Sequence, residues 1–546
     1  MSTSNSSKTE DKTKQAVKVK TRKVFNAKSR GSNILKTSSI GAFSTIFTTL
    51  VSFVYRTVFI YILSASYLGV EGLFSNILKL LSLAELGITT AIVYRFYKPI
   101  SENDVEKVGQ LMSFFKRIYS IIALTITTVG LSILPFLSYL IKDINEVPAD
   151  VNIYITYILY LLMQVSTYLF SYKLTILTAD QKQYIVSLFN VAVKTFTAVA
   201  QIIILAVWKN FVLSLVINII TTLTLNILMS IYVEKQYKEV FKVKSKLPVE
   251  ERKQIYKDTF ATLCHKIGGI IANGTDSIII SSFIGITIAG VYSNYHMIIY
   301  SLITIMQQVT GNFTSSLGNA AVEKTGSEQF KDFKKLFFAT LWLSSYITIC
   351  VYLLIDKFIL AWTNNPDMVL DRFTVIVITF MLFIEIIRYI MHSYINCNGL
   401  FVKDKIRPLI EAAINLVVSI VLVRRIGLAG VFIGTIVSKL FTCTWREPYL
   451  VFKNVFKVSL WNYWKMFLSF LFSSIIIGKL IKKVTLLSGL VYETTLLTWV
   501  AEAVIYSIVI NLILIVLFGR TEECRFYASK IKSKLNNKLK SKPAKN

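Results

Sequence analysis

Residues 55–76 read YRTVFIYILSASYLGVEGLFSN, and a related stretch, NGTDSIIISSFIGITIAGVYSN, follows at residues 273–294. The two stretches align without a gap at a spacing of 218 positions. The alignment pairs Thr57 with Thr275, Ser64 with Ser282, Gly72 with Gly290, and Ser75-Asn76 with Ser293-Asn294. Self-similarity of this kind indicates a chain whose two halves begin with homologous segments.

The sequence around these repeats is strongly apolar. Of 546 residues, 54% are hydrophobic and only 17% are charged, and the mean hydropathy is +0.58. Soluble domains have about 45 to 50% apolar and about 25% charged residues. The composition therefore indicates an integral membrane protein. Spans of about 20 residues each leave little of the chain for a soluble catalytic domain.

A hydropathy window of about 19 residues finds fourteen apolar segments between residues 38 and 518. Six segments separate the two repeats, and because this number is even, both halves enter the membrane from the same side. The sequence thus predicts an all-α integral membrane protein with about fourteen transmembrane helices. They form two parallel six-helix lobes, followed by two additional C-terminal helices.

Charge and composition divide this architecture into six parts. These are a disordered basic tail at residues 1–36, an N-lobe at 37–233, a basic linker at 234–258, a C-lobe at 259–446, the last two spans at 447–518, and a second basic tail at 519–546. Both tails contain few large apolar residues and are predicted to be disordered. Most of the 60 Lys and Arg residues fall on the side of the tails. The positive-inside rule then predicts a multi-pass protein of the cell membrane with both termini in the cytoplasm.

Several classes of function lack support in the sequence. It contains no GxxxxGK[ST], HExxH or GxSxG motif, and its five cysteines form no CxxC pair. The predicted external loops are short, whereas a membrane glycosyltransferase would need a substantial one. We therefore expect no enzyme activity, no catalytic residues, no cofactor and no metal site. The net charge of +29 is attributed to membrane topology rather than to nucleic-acid binding.

Polar residues inside the predicted spans are candidates for a transport cavity, because a charge at the bilayer centre costs at least about 2.5 to 3.5 kcal/mol. Arg56 lies deep in the first span and either serves a cavity or pairs with Glu85 or Asp276. Helical periodicity places further candidates on one face of four spans. These are Lys79 and Glu85 on the second, His265, Asn273 and Asp276 on the seventh, Tyr300 and Gln307 on the eighth, and Glu385, Arg388 and His392 on the tenth. Such faces predict a shared water-filled cavity.

The stretch from Phe53 to Pro99 carries a family resemblance. It includes YLGVEGLFSN at 67–76, LAELGI at 83–88 and YKP at 97–99. In these motifs the chain resembles the polysaccharide-repeat-unit flippases of low-GC Gram-positive bacteria, which are Wzx-like members of the MOP exporter superfamily. In span number and layout the resemblance covers about residues 33–518. Position 79 is usually small or apolar in that family, so Lys79 is a candidate marker of a particular substrate.

This resemblance implies a MATE-like pair of six-helix lobes working by alternating access. The implied activity is to flip an undecaprenyl-pyrophosphate-linked oligosaccharide from the cytoplasmic to the outer leaflet, for export of cell-surface polysaccharide. The implied partners are this lipid-linked oligosaccharide, membrane lipids and polysaccharide assembly proteins.

Residue chemistry assigns candidate roles within such a cavity. Arg suits bidentate contact with phosphate, and sugars need hydrogen-bonding groups and aromatic faces. The candidates for pyrophosphate are Arg56, Arg388, Arg95 and Lys79, and those for sugar are Glu85, Asn273, Tyr300, Gln307, Asn312 and Glu385. His265, Asp276 and His392 are candidates for proton or sodium coupling.

Three alternatives remain open from the sequence. A peptidoglycan lipid-precursor flippase belongs to the same superfamily and is the hardest to separate. A cation-coupled multidrug antiporter of that superfamily would have a more acidic cavity and usually twelve spans. A membrane enzyme of polysaccharide assembly is the third alternative, and detection of a product from lipid-linked substrate in detergent would identify it.

Overall fold

The computed structural model describes residues 30–82, 88–256, 274–400, 403–404, 406–488 and 495–540. Within these ranges the chain is almost entirely helical and contains no strand. The prediction of an all-α protein is therefore confirmed.

Eighteen α-helices cover most of the described residues. In chain order they are α1 (Arg30–Ile62), α2 (Ala65–Leu81), α3 (Ile88–Glu102), α4 (Val105–Ile133), α5 (Ile153–Ala179), α6 (Gln183–Trp208), α7 (Phe211–Gln236), α8 (Lys238–Phe241), α9 (Asp276–Phe283), α10 (Ile286–Glu323), α11 (Gly326–Thr363), α12 (Arg372–Cys397), α13 (Arg407–Ile426), α14 (Leu428–Phe441), α15 (Cys443–Val451), α16 (Trp461–Leu487), α17 (Leu496–Phe518) and α18 (Glu522–Lys540). Short 3₁₀ segments at Leu134–Leu140 and Ile144–Glu146 join α4 to α5, and a π-helix at Phe452–Phe456 follows α15.

Polar residues mark the ends of the long helices. The side chain of Asn152 accepts hydrogen bonds from the first backbone N–H groups of α5, and Asp371 does the same for α12. Helix α11 starts with a capping box formed by Thr325 and Glu328. These caps satisfy N–H groups that have no partner within the helix, and they separate spans joined by short connections.

Hydrophobic packing produces two lobes. One core is built almost entirely from α1 to α8, with Phe59, Phe74 and Tyr157 among its buried aromatic residues. A second core involves mainly α9 to α14, and α16 and α17 pack against α11 at its side. We call the end of the bundle where α1 begins and α18 lies the tail end, and the opposite end, where α1 leads into α2, the distal end.

The two lobes approach most closely where α2 packs against α10. A Cβ atom at Gly290 would lie 1.8 Å from the carbonyl oxygen of Ala65, and one at Gly69 would lie 1.9 Å from that of Ile286. Glycine at both positions therefore allows the two backbones to touch. Gly290 is one of the positions shared by the sequence repeat, so the repeated segments form the contact between the lobes.

Nine helical stretches within the described ranges are long and apolar enough to cross a membrane. The count of fourteen spans stays a prediction. Residues 83–87 interrupt the second predicted span, and most of the seventh falls in 257–273, both outside the described residues. Helices α10, α13 and α16 correspond to three more predicted spans, with 38, 20 and 27 residues.

The C-terminal tail differs from the prediction of disorder. Helix α18 covers Glu522–Lys540 and follows α17 almost directly. Its tyrosine Tyr527 donates a hydrogen bond to the carbonyl oxygen of Lys335, and the Lys335 ammonium lies 4.3 Å from the centre of the Phe526 ring. The tail is ordered here because it packs on α11 instead of folding alone. Helix α1 likewise begins at Arg30, inside the predicted N-terminal tail, while residues 1–29 lie outside the described part.

Candidate functional site

A cavity of about 800 Å³ lies between the lobes. Helices α1, α2, α9 and α10 supply its polar wall, with the side chains Ser52, Arg56, Glu71, Ser75, Asn76, Ser277, Ser293, His296 and Ser301. Helices α11 and α17 supply a mostly apolar wall, which includes Ile347, Val351, Leu354, Ile355, Phe358, Trp499 and Ala503. A volume in this range is typical of sites that enclose a small organic ligand.

Arg56 and Glu71 form an ion pair in the polar wall of this cavity. The Nη1 atom of Arg56 on α1 lies 3.7 Å from Oε2 of Glu71 on α2, and the two side chains are 16% and 29% exposed. This distance makes an ion pair without a hydrogen bond. Nη1 of Arg56 is buried and has no hydrogen-bond acceptor among the described residues. Arg56 therefore lines the cavity with one guanidinium donor that has no acceptor among the described residues.

Three rings on α10 form an aromatic face along the cavity. Tyr292, His296 and Tyr300 are spaced four residues apart, with ring centres separated by 5.7 Å and 5.6 Å. The Nζ atom of Lys79 on α2 lies 5.9 Å from the centre of the Tyr300 ring. At 1.5 Å per residue, the face extends about 12 Å from Tyr292 to Tyr300. Lys79 thus stands at the tail-side end of an aromatic surface.

A second group of charges lies inside the C-lobe, on α12, α13, α14 and α15 and on the turn just before α13. The group consists of Glu385, Arg388, His392, Asp404, Arg407, Glu411, Lys439, Arg446 and Glu447, and we call it the C-lobe ion cluster. Lys439 is 1% exposed, and its Nζ atom lies 2.5 Å from Oε1 of Glu385. Arg388 lies 3.5 Å from carboxylate oxygens of both Glu411 and Glu447. The positive charge of Arg388 is therefore balanced within its own lobe.

The sequence predicted one polar cavity that included Glu385, Arg388 and His392. The structure instead places these three side chains in the C-lobe ion cluster, while Arg56 and Tyr300 line the cavity and Lys79 contacts Tyr300. Asp276 is half-buried at the start of α9 and lies near Glu385 and Lys439.

The remaining candidates are distributed more widely. Gln307 on α10 donates a hydrogen bond to the Tyr389 hydroxyl on α12, within the C-lobe. Arg95 lies on α3 and is half-buried. Asn312 belongs to α10, but its side chain lies outside what the structure describes. Three further candidates, Glu85, His265 and Asn273, lie wholly outside the described residues.

The family model for polysaccharide biosynthesis proteins matches residues 34–317, which is more than half of the chain. The chain belongs to this polysaccharide biosynthesis family. The resemblance seen in residues 53–99 is thereby confirmed. No curated protein sequence is significantly similar to the chain as a whole.

Several solved structures of other proteins have the same fold as this member of the polysaccharide biosynthesis family. The lipid II flippase MurJ, in an inward closed conformation, matches 89% of this chain and 99% of its own, with a TM-score of 0.63 and 14% identity. A multidrug resistance MATE family transporter of the MOP superfamily, in an inward-facing conformation, matches 74% of this chain and 95% of its own, with a TM-score of 0.56 and 13% identity. The Vibrio cholerae MATE transporter VcmN, as a mutant, matches 80% of this chain and 100% of its own, with a TM-score of 0.52 and 13% identity. The fold of this multi-pass membrane protein is thus the MurJ and MATE transporter fold.

Sequence reasoning missed Glu71 as the partner of Arg56. The hydropathy window started the second span near residue 70, which placed Glu71 at a membrane surface. Helix α2 in fact begins at Ala65, so Glu71 lies almost two turns inside the helix. The contribution of α17 to the cavity was also missed. Its lining residues, such as Trp499 and Ser507, do not form a polar stripe that would mark one face of this helix as a cavity wall.

Proposed function

We propose that this protein flips undecaprenyl-pyrophosphate-linked oligosaccharide repeat units from the cytoplasmic to the outer leaflet by alternating access of its two lobes. The family and the transporter fold support a lipid-linked flippase or another transporter of the MOP superfamily, neither of which is an enzyme. The observation that carries the choice is the cavity between the lobes. It joins a guanidinium with an unsatisfied donor, an aromatic face and an apolar wall.

In this proposal Arg56 binds the pyrophosphate. A lipid pyrophosphate needs a cation in a hydrated site, and a guanidinium can hold two phosphate oxygens in parallel hydrogen bonds. Glu71 lies 3.7 Å away and keeps the buried charge of Arg56 balanced when the cavity is empty. Because that pair makes no hydrogen bond, a phosphate can engage Arg56 without first breaking one.

The oligosaccharide then lies along α10. The rings of Tyr292 and Tyr300 offer flat faces for sugar C–H groups, and Ser75, Asn76 and Ser293 nearby offer hydroxyl and amide groups. Lys79, at the end of this surface, adds a second cation for an anionic group of the head. Lys79 is one of two residues, with Thr89, at which the chain departs from the usual pattern of the family that it resembles.

The apolar wall is suited to the lipid end of the substrate. Helices α11 and α17 line the cavity with aliphatic and aromatic residues and face the polar wall. An undecaprenyl chain can remain in contact with such a surface while the head crosses, which avoids moving the whole lipid through water. If the head carries about two negative charges, an inside-negative potential of about 100 mV favours its outward movement by about 4.6 kcal/mol. Asp276 and His392 are proposed coupling residues for any proton or cation that moves with it.

The function is tested by reconstituting the purified protein in liposomes that contain a labelled undecaprenyl-pyrophosphate oligosaccharide in one leaflet. We expect the label to become accessible to an impermeant reagent on the other side, without added ATP and faster than in protein-free liposomes. Lipid II serves as a competing substrate and a cationic dye as a control for drug transport. Movement of lipid II alone would assign the protein to peptidoglycan precursors, and movement of the dye alone would make it an antiporter.

Topology is a separate prediction, because both termini are proposed to be cytoplasmic. Single cysteines at Ser7, Asn145 and Asn537 in a cysteine-free background report the side on which each position lies. In intact cells an impermeant thiol reagent should label the position 145 variant and neither tail variant. Labelling of a tail cysteine would show the opposite orientation.

A further inference from the structure

The loop between α4 and α5 belongs to the N-lobe, yet it is bound to the C-lobe at the distal end. The backbone N–H of Lys142 donates to the carbonyl oxygen of Ser281, at 3.1 Å. The hydroxyl groups of Ser281 and Ser282 donate to the carbonyl oxygen of Leu140, at 2.8 Å and 3.1 Å. These bonds join the loop to the end of α9, just before the turn into α10.

Glu146 extends this contact to the first turn of α10. Its Oε2 atom accepts a hydrogen bond of 2.9 Å from the backbone N–H of Thr287. The first N–H groups of a helix have no partner within it, and the helix dipole places a partial positive charge there. The carboxylate of one lobe therefore caps a helix of the other.

Gly285 makes room for this carboxylate. A Cβ atom built at Gly285 would lie 2.5 Å from Oε1 of Glu146, so a side chain there would displace it. The residue also has a φ of +150°, which other residues rarely adopt. Glycine at this position therefore allows both the backbone conformation of the turn and the close approach of the Glu146 carboxylate.

We propose that Glu146 is the latch that holds the distal gate of the transport cavity closed. The inference rests on the proposed function, in which this gate opens to release the oligosaccharide. Opening would move the loop away from α10 and transfer Glu146 and the Thr287 N–H to water. Glu146 and Thr287 are half-buried at the distal end of the bundle, where water can replace the lost partner once the loop moves away. A contact of this kind can therefore break and re-form in every transport cycle.

Asp150 offers a matched control in the same loop. Its Oδ1 atom accepts a hydrogen bond of 2.5 Å from the Tyr67 hydroxyl, so both partners belong to the N-lobe. Asp150→Asn removes a carboxylate charge from the loop without touching the contact between lobes. Glu146→Gln removes the charge that favours the N-terminus of α10 and keeps the length of the side chain.

The test measures how easily the cavity is reached from the distal side. Ser293 lines the cavity on α10 and donates its hydroxyl only to Gly290 of its own helix among the described residues. Ser293→Cys in a cysteine-free background therefore provides a conservative reporter. An impermeant maleimide is added in substrate-free liposomes on the side opposite the tails, and the labelling rate is normalised to total thiol in denatured protein.

We expect Glu146→Gln to raise this rate roughly tenfold or more, the factor that corresponds to losing a charge-assisted hydrogen bond. Gly285→Ala disrupts the same contact from the C-lobe and should also raise the labelling rate. Asp150→Asn should be labelled at the wild-type rate. A wild-type rate in both Glu146→Gln and Gly285→Ala, or an equal rise in Asp150→Asn, overturns the latch. Because no substrate is present, this result does not depend on which lipid the protein flips. If the labelling rate responds to Glu146→Gln but the protein with its native Ser293 does not flip the lipid-linked oligosaccharide, the result contradicts the proposed function alone.

Discussion

Arg56→Ala is expected to reach the membrane in normal amounts and to lose the flipping of lipid-linked oligosaccharide almost completely. In the proposed mechanism Arg56 holds the pyrophosphate through hydrogen bonds between charged groups, each worth about 1.5 to 3 kcal/mol. Loss of one such bond weakens substrate engagement by about 10- to 150-fold. Arg56→Lys should restore only part of the activity, because an ammonium keeps the charge but lacks the planar pair of donors.

The competing explanation is that Arg56 only neutralises Glu71, which would otherwise be an unpaired carboxylate in the cavity. The double variant Arg56→Ala, Glu71→Gln separates the two roles. If neutralisation is the only role, the double variant flips like the wild type. If Arg56 binds pyrophosphate, the double variant remains inactive in flipping. Arg372→Ala is the matched control for loss of an arginine that pairs with a carboxylate outside the cavity. Arg372 pairs with Asp356 in the C-lobe, at 2.8 Å.

The apolar composition and the internal repeat predicted much of the fold. The all-helical class follows from residues that must satisfy their backbone hydrogen bonds within lipid. The repeat also identified Gly290, which allows α10 to touch α2. The tail helix α18 was not predictable in this way, because its composition is polar and the contacts that the structure describes for it are made to α11.

The arrangement of the site was harder to predict. A periodic pattern shows which face of a helix is polar, but it does not show which other helix or cavity that face contacts. Glu385 and Arg388 were expected to face a cavity shared by both lobes. In the structure they meet counter-charges from three other helices, namely Glu411 on α13, Lys439 on α14 and Glu447 on α15. Those partners lie on helices that follow α12 in the chain, so the pattern within α12 does not show them.

The broken course of α14 and α15 explains how these partners meet. Helix α14 ends at Phe441, Thr442 has φ −120° and ψ −85°, and α15 starts at Cys443. Lys439 and Glu447 lie on either side of this break and both enter the C-lobe ion cluster. A sequence pattern that assumes one continuous helix cannot anticipate such an arrangement.

The C-lobe ion cluster leads to the largest expected effect on stability, in the variant Glu447→Gln. Glu447 is fully buried, and its carboxylate lies 3.1 Å from Nη2 of Arg407 and 3.5 Å from Nε of Arg388. Removing one member of a buried ionic group leaves uncompensated charge and typically costs about 3 to 5 kcal/mol. We expect a clearly lower midpoint of thermal unfolding in detergent and less protein in the membrane.

Two comparisons make this expectation specific to the cluster. Glu250→Gln removes a carboxylate that pairs with Lys253, at 3.3 Å, in a pair whose side chains are 84% and 70% exposed. Exposed pairs contribute about 0 to 1 kcal/mol, so this variant should unfold close to the wild type. Adding Arg388→Met to Glu447→Gln removes one of the two cations that have lost a partner and should recover part of the lost stability. A Glu447→Gln protein with wild-type unfolding but no flipping would contradict the structural role and assign the cluster, with His392 at its edge, to coupling instead.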